Sequence, residues 1–160
     1  MNEGRCLEIR EDDLTGETIA LFLRAHLDHM KIITPLESVH ALDLAALRAP
    51  EITFWSVWEG NDLVGCGALK ELEPGTGEVK SMRTAEAHRR KGIGARMLEH
   101  IEREASRRGY HALKLETGAM REFAAARAFY ERHGFERCGP FGDYTDDPNS
   151  VYMTKALARP

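Results

Sequence analysis

Apolar and polar residues recur along this chain with two periods, and the switches between them mark its elements. Leu7-Glu8-Ile9-Arg10 alternates with the two-residue period of a short strand. Ile19, Phe22, Leu23, Leu27 and Met30 then fall at helical spacing, with Asp13 placed to cap that helix. Thr34-Pro35-Leu36-Glu37 reads as a capping box opening a second helix, which runs to about Leu47 and stops before Pro50. Ile52 to Trp58 is β-branched and aromatic, Gly60-Asn61-Asp62 turns the chain, and Leu63 to Leu72 returns as an antiparallel partner. After Pro74-Gly75-Thr76-Gly77, Glu78 to Thr84 supplies a third strand. Ile93, Met97, Ile101 and Ala105 recur every four residues and form one face of a long helix, stopped by Gly109. Glu99/Arg103 and Glu104/Arg108 are spaced to pair along its exposed side. Tyr110 to Thr117 is a strand, Arg121 to His133 a helix ended by Gly134, and Phe135 to Cys138 and Val151 to Leu157 are final strands. A meander followed by strand–helix–strand–helix implies a mixed α/β class, with helices around one sheet.

Composition narrows the function classes. The chain has 160 residues, so one domain over 1–160 is expected, and a chain of that length folds without a staple. Three cysteines, Cys6, Cys66 and Cys138, have no CxxC spacing, which argues against a disulfide framework and against a metal site. A net charge of −4 argues against a nucleic-acid partner. The absence of a long apolar run argues against a membrane partner, and the polar start Met1-Asn2-Glu3-Gly4-Arg5 places the expected location in the cytoplasm.

The chemistry gathers where a strand runs through a basic turn into the long helix, at Arg89-Arg90-Lys91-Gly92-Ile93-Gly94-Ala95. A helix start exposes unpaired N–H groups and a positive dipole end, and bare Cα positions at Gly92 and Gly94 admit a phosphate to the backbone. With three cations beside it, a pyrophosphate is the natural guest. GxxxxGK[ST] and GxGxxG are both absent, so a nucleotide-phosphate enzyme using this loop is a weak reading.

Arg89-x-x-Gly92-x-Gly94 resembles the acetyl-CoA loop, [QR]xxGx[GA], of the GNAT acetyltransferase superfamily. Tyr130 stands thirty-six residues past Gly94, within Ala126-Arg127-Ala128-Phe129-Tyr130 and ahead of Gly134-Phe135, which is similar to the second GNAT signature. The runs around Cys66-Gly67-Ala68-Leu69 and Cys138-Gly139-Pro140-Phe141 resemble a bacterial acetyltransferase subgroup of that family. The resemblance implies a GNAT acyl-CoA N-acyltransferase fold, with a central mixed sheet of six to seven strands flanked by about four helices.

It also implies site residues. Backbone groups of Met82, Arg83 and Thr84 would meet the pantetheine arm of acetyl-CoA, the cosubstrate. Amides of Arg90, Lys91, Gly92, Ile93, Gly94 and Ala95 would hold the pyrophosphate. Tyr130 becomes the candidate general acid, able to protonate a departing thiolate. Glu78, eleven residues before Arg89, becomes the candidate general base, with a water relay as the alternative. Deprotonating an amine of pKa near 10.4 at pH 7 costs about 4–5 kcal/mol, so such a group is useful. A strand amide near Met82 or Arg83 is the expected oxyanion donor. One position departs from the family: an Asn commonly precedes the tyrosine by seven residues, and here Phe123 stands there.

The expected reaction is transfer of acetyl from acetyl-CoA directly to a primary amine of a small molecule or protein, without a metal. A non-catalytic acyl-CoA-binding sensor or interaction module of the same fold is the alternative. His29, Lys31, Glu37, His40 and Asp43 lie on the acceptor side in the family, and Asp143, Tyr144 and Asn149 belong to a late loop that either closes over the cleft or simply turns. Cys66 reads as a small buried thiol rather than a nucleophile. Two-fold dimerisation is common in the family, which makes a homodimer a candidate assembly.

Overall fold

The computed structural model of the chain describes residues 6–33 and 44–157. Its elements run β1 (Leu7–Glu11), α1 (Glu17–Ile33), α2 (Leu44–Leu47), β2 (Ile52–Glu59), β3 (Asp62–Glu73), β4 (Thr76–Thr84), α3 (Ile93–Arg107), β5 (Ala112–Gly118), α4 (Ala124–Arg132), β6 (Glu136–Cys138) and β7 (Ser150–Ala156). One seven-stranded sheet takes the order β1-β2-β3-β4-β5-β7-β6. All neighbouring pairs are antiparallel except β4 with β5. The expected mixed α/β sheet with about four helices is what forms.

Two cores flank the sheet because side chains alternate along each strand. Leu69, Val79, Leu113, Leu115 and Met153 meet Met97, Leu98 and Ile101 of α3 in one cluster that also takes Tyr130 and Phe135. Phe54, Cys66 and Ala68 point the other way, onto Ile19 and Leu47 of α1 and α2. A side chain such as Leu98 or Ile101, buried completely, contributes about 1.5–3 kcal/mol. The glycines either side of Cys66 let α3 sit directly on β3. A Cβ at Gly65 would lie 2.9 Å from Ile93 Cγ2, and one at Gly67 would lie 2.7 Å from Met97 Cγ.

Both long helix–strand junctions end in the same cap. Tyr110 N–H donates to Ala105 O (2.9 Å) and Gly109 N–H to Ser106 O (3.0 Å), with Gly109 at φ +83°. Phe135 N–H donates to Tyr130 O (3.0 Å) and Gly134 N–H to Glu131 O (3.1 Å), with Gly134 at φ +92°. Paired bonds of this kind around a left-handed glycine satisfy the last carbonyls of a helix.

Several boundaries differ from the sequence reading. The first helix begins at Glu17, with Ala20 N–H on Gly16 O (3.3 Å), and Asp13 does not cap it. Asp13 Oδ1 instead accepts from Thr15 N–H (3.1 Å) and Thr15 Oγ1 (2.6 Å), closing a turn ahead of the helix. Tyr110 packs into the core before β5 starts at Ala112. The predicted 121–133 helix splits into a 3-10 turn at Arg121–Phe123 and α4. The capping box Thr34-Pro35-Leu36-Glu37, together with His40 and Asp43, lies outside the described residues, as do the side chains of His29 and Lys31.

Candidate active site

The strand β4 is the hinge of the site. It pairs with β5 only at Thr76↔Ala112, Gly77↔Leu113 and Glu78↔Lys114, while its pairing with β3 continues to Thr84. Beyond Glu78 the two parallel strands therefore separate into a wedge, and the β5-facing backbone of β4 loses its ladder. A bulge accompanies the separation. Register slips between Cys66 and Ala68, where Ser81 adopts φ +54°. An extra residue of this kind increases local twist and re-aims the side chains that follow. Cys66 Sγ donates to Ser81 O at 3.1 Å and Ala85 N–H to Val64 O at 2.8 Å, so the bulged end stays fixed to β3. Met82 then packs with the α3 core, while the Arg83 guanidinium lies 5.2 Å over the Phe22 ring of α1. Partial burial holds the Arg83 pKa below its ordinary value.

At the mouth of the wedge the chain curls through Arg90 (φ +67°) and Gly92 (φ +79°) into α3. Gly92 is the N-cap and no side chain caps the turn that follows. The first amides of α3 thus keep their donors for an outside acceptor, with Arg89, Arg90 and Lys91 exposed beside them. The two glycines play different parts. A Cβ at Gly92 would meet nothing within 4 Å, so only its left-handed φ calls for glycine. A Cβ at Gly94 would stand 3.5 Å from Phe129 Cζ and 3.8 Å from Thr84 Oγ1, in the seam where α3, β4 and α4 meet. Uncapped amides, a strand that has left its parallel partner and the seam together fit a phosphate followed by an extended amide-bearing arm.

Tyr130 is placed by its helix cap. Its carbonyl accepts from Phe135 N–H, and its ring packs edge-on to Phe135 with centroids 5.6 Å apart. Phe129 adds a second edge contact at 5.2 Å. Tyr-x-x-x-Gly-Phe is therefore a helix terminator that fixes a phenol. Burial raises the Tyr130 pKa well above the ordinary phenol range, and no hydrogen bond from another side chain contributes. The hydroxyl stays protonated at neutral pH and is a donor.

Glu78 lies on the other face. It is 2% exposed, and both of its hydrogen bonds end on Oε2, from Lys80 Nζ at 3.0 Å and from Tyr144 Oη at 2.7 Å. Lys80 Nζ also donates to Tyr144 Oη at 3.0 Å. Tyr130 clusters with Val79 and Glu78 faces away from that cluster, so the candidate acid and base approach the wedge from opposite sides of the sheet. Sequence reading missed Lys80, although its two-residue spacing from Glu78 puts both on one face. It also missed Arg127, whose Nη1 donates to Gly118 O (2.7 Å) and Met120 O (2.9 Å) and ties α4 to the end of β5.

Phe123 precedes α4 and its ring covers Gly118. A Cβ there would lie 2.1 Å from Phe123 Cδ2. Cys66 is buried, and burial pushes its thiol up to about 12, so it behaves as filler. Among the described residues no helix is long and apolar enough to cross a membrane, and no cluster of His, Cys, Asp and Glu is arranged to hold a metal.

The model of the acetyltransferase (GNAT) family matches residues 17–135. The chain belongs to the GNAT family. A Bacillus subtilis (strain 168) protein named as an uncharacterized N-acetyltransferase, YsnE, is 55% identical over 94% of this chain and 100% of its own length. An Azospirillum brasilense protein named IAA acetyltransferase is 45% identical over 77% of this chain and 80% of its own. Among solved structures, a Klebsiella pneumoniae protein provisionally described as an acyl-CoA N-acyltransferase superposes with TM-score 0.77 at 29% identity, covering 97% of this chain and 100% of that one. An aminoglycoside 6'-N-acetyltransferase complexed with coenzyme A shares the fold, with TM-score 0.69 at 18% identity over 96% and 99% of the two chains. The GNAT wedge is thus the element in which to seek an acyl-group transfer.

Proposed function

We propose that this GNAT protein is an N-acetyltransferase that carries the acetyl group of acetyl-CoA directly to a primary amine. The carrying observation is the wedge itself. Strand β4 leaves β5 after Glu78, so its ladder on that side ends there, and the chain then runs on to a helix start that no side chain caps. In this reading the amides of Arg90, Lys91, Gly92, Ile93, Gly94 and Ala95 hold the diphosphate, and backbone groups of Met82, Arg83 and Thr84, beyond the last β4–β5 pair, meet the pantetheine amides. Acetyl-CoA supplies an acyl group already activated as a thioester.

The remaining chemistry belongs to the chain. The amine enters from the α1 face and Glu78 draws its proton away through water. A C–N bond forms as the C–S bond breaks, and an amide of Met82 or Arg83 donates to the oxygen that gains charge. Tyr130 delivers its proton to the departing sulfur from the α4 face and regains one from solvent.

The test is calorimetric titration with coenzyme A, followed by thiol release from acetyl-CoA over a panel of primary amines, with IAA as a separate acceptor. Saturable binding and release with at least one amine are expected. Binding without release for any acceptor supports the non-catalytic module, and absence of any coenzyme A binding at neutral pH overturns the reading.

A further inference from the structure

The loop between β6 and β7 has no part in the cofactor reading, yet it reaches Glu78. Phe141, Tyr144 and Tyr152 pack there, edge to face about Phe141 and tilted between the two tyrosines, with ring centroids 5.2, 5.7 and 5.9 Å apart in the three pairs. The Tyr152 hydroxyl donates to Thr145 O at 2.8 Å and fastens the loop to β7. From this platform Tyr144 extends its hydroxyl between Glu78 and Lys80, sixty-six residues away along the chain from Glu78. Its ring also receives the Lys80 ammonium at 5.6 Å from the centroid.

Protonation fixes the direction of these bonds. Burial, the Glu78 charge and the Glu78 hydrogen bond all raise the Tyr144 pKa, so its hydroxyl carries its proton throughout the working range. It must donate to the carboxylate while accepting from Lys80. Oε2 is then held by an ammonium and a phenol together, and Oε1 stands outside both bonds. A carboxylate so gripped keeps one rotamer. That is what a base must do to meet a water or amine at the wedge.

The geometry points to Tyr144 as a positioning residue for Glu78: the β6–β7 loop clamps one carboxylate oxygen so that the other faces the acceptor side of the wedge. This rests on the reading of Glu78 as the base. Other charged and titratable groups on the same face are Lys70 of β3 and Lys114 and Glu116 of β5, with Tyr152 of β7 beside them. None of these occupies the place of the Tyr144 hydroxyl between Glu78 and Lys80.

The experiment compares wild type, Tyr144→Phe and Glu78→Gln as full chains. It measures coenzyme A affinity by calorimetry, and kcat and KM for thiol release from acetyl-CoA with the best amine of the panel. Tyr144→Phe keeps coenzyme A affinity within about twofold and lowers kcat about tenfold, since orientation of a general base is worth less than the base itself. Its KM for the amine stays within about twofold, a split that a general loosening of the fold does not give. Glu78→Gln lowers kcat further, by about 100-fold or more. An unchanged kcat in Tyr144→Phe overturns the proposal, and a wild-type kcat in Glu78→Gln overturns the base assignment on which it stands. Loss of coenzyme A binding by wild type would instead defeat the cofactor reading. If Tyr144→Phe fails to fold, Tyr144→Trp, which keeps an aromatic ring but offers no hydroxyl donor, is measured by the same kcat and KM, and an unchanged kcat there counts equally against the proposal.

Discussion

The two faces of the sheet treat their polar groups in opposite ways. On the α3/α4 face the groups that matter are left without protein partners: the first amides of α3 and the Tyr130 hydroxyl. On the α1 face the corresponding groups are engaged, Glu78 with Lys80 and Tyr144, and Ser150 Oγ with Glu116 Oε2 at 2.8 Å. In the proposed reading the unpaired donors of the α3/α4 face await an incoming ligand. A closed network instead fixes the orientation of a charge that would otherwise be costly to bury. On the proposed function, one face receives the cofactor and the other aims the base.

Removing the Tyr130 hydroxyl breaks the comparison most sharply. Tyr130→Phe deletes a group that no protein atom depends on, so thermal stability stays within about 0.5 kcal/mol of wild type. Turnover of acetyl-CoA falls by at least ~100-fold, the low end of what a general acid contributes. Coenzyme A affinity is unchanged. Measured together, a large loss of rate beside an intact melting curve identifies a chemical role. Equal losses of rate and stability would return Tyr130 to the core.

The sequence shows the local patterns of the receiving face, and on the aiming face it offers Glu78 and Tyr144 singly but not the network that joins them. Arg89-x-x-Gly92-x-Gly94 and Tyr130…Gly134-Phe135 are local patterns, because a helix start and a helix cap are each settled within about six residues. The strands followed from the two-residue period. The cap on α1 was misread because Asp13 can serve a turn at Thr15 as readily as a helix. The Glu78–Lys80–Tyr144 network joins β4 to a loop far along the chain, and no spacing rule connects such positions. The bulge at Ser81 left no signal either. Its left-handed φ is carried by a serine rather than by the glycine that would have announced it. The glycines beside Cys66 were visible, but the reason for them, the close seat of α3, needed the third dimension.

Cys66 sharpens the comparison through pH. Its thiol is buried on the aiming face, and burial moves its pKa from 9.0 to about 12. Above pH 9 the unfolded chain gives up this proton while the folded chain retains it. The unfolded state then binds fewer protons, and stability falls as pH rises. The slope from this one group is about 1.4 kcal/mol per pH unit between the two values. Urea unfolding from pH 8 to 11 should therefore show a steeper alkaline decline in wild type than in Cys66→Ala. Parallel curves would mean that the thiol ionises in the folded protein, and that this face is more open than its packing implies.

The smallest effect concerns the receiving face and separates two roles of glycine. At Gly92 a methyl group meets no atom within 4 Å, but the residue holds φ +79°. Gly92→Ala therefore costs about 1 kcal/mol through backbone strain alone, with no clash. At Gly94 a methyl group has only ordinary contacts with Phe129 and Thr84, so Gly94→Ala leaves stability nearly unchanged while narrowing the seam between α3 and α4. The expected pattern is crossed. Gly92→Ala lowers the melting temperature with a minor change in coenzyme A affinity, and Gly94→Ala does the reverse. Should both variants lose affinity in proportion to stability, the helix start is merely a structural turn and the α3 amides do not receive the diphosphate.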